Sequence, residues 1–172
     1  PLELPLRPLK GRLRYCALTN TLERHSQNLI FLRTAALLDR RRWLASIFVP
    51  ANTNGDLRED FGRAFIPVHY VDLNNIDYQE LRKQAPDKLD PRMASLLSKC
   101  DVHVYANTYD DPDAAALAEL AARYSKPHAK RVMELPNLHP PSTDVVDAFI
   151  APSNFAASQT ETDKPIATIY PA

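Results

Sequence analysis

Residues 13–49 read LRYCALTNTLERHSQNLIFLRTAALLDRRRWLASIFV, and this stretch decides the fold. It opens on a short apolar run of β type (residues 13–18, LRYCAL) and closes on another (residues 43–49, WLASIFV). Between them, residues 26–38 carry Leu29, Ile30, Phe31, Leu32, Ala35, Ala36, Leu37 and Leu38 around most of a helical circumference, which predicts a deeply packed helix. Two apolar strands separated by a helix predict a parallel pair, because only a long crossover returns the chain in the same direction.

The pattern continues downstream. Residues 54–62 predict a short helix ending at Gly62, where a residue without Cβ takes a positive φ most easily. Residues 66–73 (IPVHYVDL) form a third strand. Asp90-Pro91 opens a helix running to about Lys99, with the carboxylate as cap and the proline in the first turn. Residues 101–106 (DVHVYA) follow as a strand, and Asp111-Pro112-Asp113 starts another helix. In that helix Ala114, Leu117, Leu120, Ala121 and Tyr124 make one apolar stripe. Residues 130–135, 148–151 and 166–170 complete the strands, with a short helix after Ser153. Such alternation predicts an α/β, Rossmann-like, doubly wound and mostly parallel sheet of about seven strands, covered by helices on both faces. Residues 1–12, with Pro1, Pro5 and Pro8, read as a proline-rich arm or linker, leaving 13–172 as the domain.

A length of 172 residues suits one domain, or half of a two-domain protein. With 45 % hydrophobic and 24 % charged residues the chain has the composition of a packed globular protein, not of a disordered one. Basic and acidic residues number 21 each, which argues against a polyelectrolyte partner such as nucleic acid. The balance is uneven, however, with the basic excess in residues 1–50. Arg40, Arg41 and Arg42, with Arg33, read either as a solvated helix end or as a patch drawn to anionic lipid headgroups. No apolar run reaches the roughly 20 residues of a spanning helix, and none resembles a signal segment. A cytoplasmic protein is therefore expected, with peripheral contact at an anionic membrane as an addition. A start at Pro1 points to a processed or excised piece of a longer protein. Cys16 and Cys100 read as small buried hydrophobes of a reducing compartment, with no disulfide framework.

In an open parallel sheet, ligands bind outside the carboxyl ends of the strands. Polar side chains fall there in groups: Thr19, Asn20 and Thr21; Asn107, Thr108 and Tyr109; Glu134, Asn137 and His139; Ser153 and Asn154. They can bind a hydroxyl-rich ligand, or they can cap helices and turns. The chain has three glycines, Gly11, Gly55 and Gly62, and none follows the first strand, which excludes a glycine-rich phosphate loop. The five histidines lack metal-ligand spacing. His69 and His103 fall within strands, as core histidines do, whereas His25 and His139 fall in loops on the ligand side.

The run ERHSQNLIFLRTAALLDRRRWLASIFVPANTNGDLREDFGRAFIPVHYVDL, with the later VVDAFIAPSNFAASQ and the terminal IATIYPA, resembles the N-terminal domain of a GT-B-fold, family-4-type glycosyltransferase. The resemblance implies an acceptor-binding half, with the nucleotide-sugar donor held mainly by a C-terminal domain. It implies no further cofactor and little activity for the isolated half. Glu134 and His139 become the catalytic candidates, and Asn20, Thr21, Asn107, Thr108, Asn137 and Ser153 the substrate-binding ones. Family members often carry a Gly-Gly pair after the first strand, where this chain has Asn20-Thr21-Leu22-Glu23. They often place a histidine after the fifth strand, where Glu134 stands. Competing readings are a non-catalytic flavodoxin-like or regulatory binding domain, and half of a GT-B-fold sugar-nucleotide epimerase.

Overall fold

The computed structural model describes residues 11–51, 53–72, 91–105, 112–134, 146–160 and 162–168. Within them the strands are β1 (Leu13–Leu18), β2 (Trp43–Pro50), β3 (Val68–Val71), β4 (Val102–Tyr105), β5 (Lys130–Glu134), β6 (Ala148–Ala151) and β7 (Ile166–Thr168). The helices are α1 (Ser26–Leu37), α2 (Leu57–Arg63), α3 (Pro91–Ser98), α4 (Pro112–Tyr124) and α5 (Asn154–Ser158). All seven strands form one sheet in the order β3-β2-β1-β4-β5-β6-β7, and every pairing is parallel. The chain is thus an α/β, Rossmann-like domain, doubly wound about the β1–β4 pair.

Because side chains alternate across a strand, the central strand β1 feeds two cores at once. Tyr15 and Ala17 face one layer, with Phe31 and Ala35 of α1 and Leu57 and Phe61 of α2. Cys16 and Leu18 face the other, with Leu97 of α3 and Leu117, Leu120 and Ala121 of α4. Phe31, Phe48, Phe61 and Phe149 are almost wholly buried. Each such ring stabilises the fold by about 1.5–3 kcal/mol relative to an exposed one.

Helix α1 differs from the sequence expectation. Ile30, Phe31 and Ala35 are buried, but Leu37 is 86 % exposed and Arg33 and Ala36 lie outside too. A helix laid on one sheet buries one stripe, so apolar residues elsewhere on it remain in solvent. Its last turn holds no basic residue. Arg40, Arg41 and Arg42 follow in the turn before β2 and so do not end the helix.

Two local expectations are corrected. Gly62 does not end α2 with a positive φ: it lies inside the helix, and the left-handed residue is Phe65, at φ 54°. The chain reverses there after Ala64 and needs the left-handed turn three residues later than the glycine. Cys16 and Cys100 are not separate thiols but a disulfide, with Cα atoms 6.0 Å apart across 84 residues. Parallel pairing of β1 with β4 brings Cys100, two residues before β4, beside β1, a proximity no local pattern announces. The inference of a reducing compartment drawn from two free cysteines falls with it. The proline-rich arm and the caps at Asp90 and Asp111 lie outside the described residues.

Closing a loop this long restricts the unfolded chain strongly. Reduction of the disulfide, or replacement of both cysteines by serine, is expected to lower the unfolding free energy by roughly 2–4 kcal/mol. Urea denaturation with and without reductant measures it.

Candidate functional site

The site is built on the carboxyl end of β1 and the loop that follows. Thr19 continues β1 by donating its N–H to the Phe48 carbonyl at 3.1 Å. Its hydroxyl, wholly buried, donates to Oδ1 of Asn28 at 3.0 Å. Asn28, in the first turn of α1, sends its amide back to the carbonyls of Thr21 and Glu23, both at 2.9 Å, and lies 3.3 Å from Nε2 of His25. One buried amide thereby holds residues 19–25 in a fixed turn. His25 is the N-cap residue of α1 and offers no side-chain cap.

A second loop braces the first. Thr53 donates to the Asn20 carbonyl at 3.3 Å, and the Leu57 N–H donates to the Leu22 carbonyl at 3.1 Å. Gly55 passes so close that a Cβ there would sit 2.2 Å from the Leu22 carbonyl carbon. Only glycine fits, since the opposing atoms, Leu22 C and O and Glu23 N, are all backbone. Outside, Arg24 bridges Asp56 at 3.3 Å and Asp60 at 2.6 Å, exposed pairs of modest energy.

Glu134 closes β5 on the same face of the sheet. Tyr105 pairs with Met133 and with Leu18, so Glu134 and Thr19 lie in one row, two strand spacings (about 10 Å) apart. The carboxyl is 2 % exposed and its Oε2 has no hydrogen-bond partner among the described residues. Burial disfavours the anion and raises its pKa to about 7. The same burial, with Glu134's charge nearby, pushes the Tyr15 hydroxyl far above its ordinary value. A carboxyl that is part protonated near neutrality is matched to proton transfer with a group brought against it.

The other sequence candidates divide. Thr21 accepts the Glu23 N–H at 3.1 Å and Ser153 caps α5 by accepting from Ala156 N at 3.0 Å, so both hydroxyls serve the backbone. Asn20 sits, half-buried, in the braced loop. His139, Asn107, Thr108 and Asn137 lie outside the described residues. His103 is a core histidine, as its strand position predicted. Ser125 donates to the Ala121 carbonyl and lies 3.0 Å from Nε2, so that nitrogen carries the proton and donates to Ser125. Burial first, then Arg131, lowers its pKa to about 4. Asn28 and Gly55 were missed. The available signals were a polar amide directly before the apolar run Leu29–Leu32 of the first helix, and a glycine in the loop after the second strand.

No family model matches the chain, and no curated protein matches it in sequence. Among solved structures, a mutant of the Thermobaculum terrenum O-GlcNAc transferase superposes with a TM-score of 0.58 at 11 % identity. The match covers 97 % of this chain and 30 % of that one, so the chain spans less than a third of its neighbour's length. At this identity the likeness is one of fold: the class defined is a Rossmann-like α/β domain of the kind found within a glycosyltransferase.

Glu134 binds more protons folded than unfolded between its ordinary value and about pH 7, so its contribution to stability falls as pH rises through that window. Glu134→Gln removes the loss. Relative to the parent, the variant is expected to gain roughly 3 kcal/mol on going from about pH 4 to about pH 8. The difference between the two denaturation curves cancels His103, whose lowered pKa acts in the opposite direction.

Proposed function

We propose that this chain is one lobe of a glycosyltransferase, a GT-B-type enzyme of the family-4 kind, that binds the hydroxyl acceptor. The observation that carries this reading is the fold likeness, which runs over 97 % of the chain and accounts for only 30 % of a known transferase. A second lobe would supply most of the contact to the nucleotide-sugar. The polar residues at the carboxyl edge and the sequence resemblance support the same reading.

In this reading Glu134 takes the proton of the acceptor hydroxyl as it attacks the anomeric carbon. A base with a pKa near 7 is half ionised at neutral pH and matched to that task. Its burial excludes water that would compete as acceptor. The uncapped amino end of α1, held in place through Asn28, favours negative charge on the departing diphosphate. His139 and Asn137 belong to the same proposal as ligands of the acceptor or the donor sugar, with Asn20, Thr21, Asn107, Thr108 and Ser153 as further substrate-binding residues.

The test is transfer by the complete protein, read as nucleoside diphosphate release from a panel of nucleotide-sugars with and without hydroxyl acceptors. Acceptor-dependent release is expected, with an acidic limb in kcat/KM near pH 7. Glu134→Gln is expected to lower kcat by roughly 10²–10⁴-fold and to abolish that limb. No release with any donor would remove the proposal.

A further inference from the structure

The end of the sheet opposite the candidate site has its own chemistry. Leu37 closes α1, Arg40, Arg41 and Arg42 form the turn before β2, and Phe65 stands three residues before β3. Every one of these lies where strands begin. Phe65 is 80 % exposed and holds the left-handed conformation that a glycine would adopt without strain. The guanidinium of Arg40 lies 5.5 Å from its ring centroid and donates to the Ala64 carbonyl at 2.9 Å. Arg12 donates to the Arg40 carbonyl at 3.3 Å, tying the start of β1 into the same surface. The sole carboxylate in this turn, Asp39, is engaged by Arg41 at 3.3 Å.

We propose that this end of the domain docks on an anionic lipid bilayer. Four exposed arginines, Arg12, Arg40, Arg41 and Arg42, supply the attraction, and Leu37 and Phe65 insert below the headgroups. Charge complementarity selects the occupant. Cations and projecting apolar side chains alternate here, which suits a fluid charged interface. A protein partner would instead need a continuous apolar centre with a polar rim. A strained, solvent-facing phenylalanine adds nothing to the core. In a bilayer its ring is buried, and the conformational cost is offset by that insertion. The geometry has a further consequence. A six-residue strand spans about 20 Å, so docking at this end holds the candidate site well clear of the headgroups. The surface is an anchor, separate from the path of the acceptor.

Co-sedimentation of the full chain with vesicles tests it, using phosphatidylcholine alone or with a third of the lipid as phosphatidylglycerol. Binding is expected to the anionic vesicles only and to weaken as salt is added. Neutralising Arg41 and Arg42 (Arg41→Gln, Arg42→Gln) is expected to reduce the partition coefficient about five-fold per arginine. Phe65→Gly keeps the left-handed turn, so it should melt no lower than the parent yet bind the vesicles more weakly. Glu134→Gln should bind as the parent does, which separates this surface from the proposed reaction. Equal binding to neutral vesicles, no binding to either, or unchanged binding by the arginine variants would overturn the proposal and leave the patch to a protein partner or to solvent.

Discussion

Everything else in the molecule depends on the burial of one six-residue strand on both of its faces. β1 pairs with β2 along its full length and with β4 along its last four residues, Tyr15 to Leu18, so its backbone is paired on both sides there. Its side chains then alternate between two apolar layers. A parallel sheet cannot leave such a strand to solvent, and the helices on each face follow from that requirement. The Cys16–Cys100 bond adds a covalent tie at the same place, joining β1 to the residue that leads into β4.

The same arrangement gives the domain two chemically distinct ends. At the carboxyl end, polar groups are buried and nearly all are used: Thr19 and Asn28 satisfy each other and then the loop backbone. Glu134 contributes a buried carboxyl with one oxygen unmatched among the described residues. An unmatched buried polar atom is costly, and a ligand or a reaction that uses it is one physical reason for it to persist. At the amino end the turn before β2 carries three exposed arginines, with exposed Phe65 against Arg40, the surface proposed above to dock on anionic lipid.

The helices and strands were readable because their signals are local. β1 and β6 fall on the residues their apolar runs define, and the remaining described elements differ by a few residues at their ends. Helix α2 shows the limit. Its expected stop at Gly62 rested on what glycine permits, whereas the turn fell at Phe65, where the chain had to reverse to enter β3. Ser153 was legible as a polar residue at a strand end, but its service as the cap of α5 depended on the direction taken by that helix.

Periodicity and strand–helix order, both properties of neighbouring residues, by themselves determined the parallel α/β architecture and the edge of the sheet at which to look. They placed Glu134 at the end of a strand and the arginines in one run. Contact between distant segments decided the rest. The disulfide required β1 to meet β4, Gly55 required two loops to touch, and Asn28 required a helix to fold back over its own entry loop. Glu134 acquired its raised pKa only because the packed fold removed water from around it. Burial is a property of the whole assembled molecule, and no stretch of sequence carries it alone.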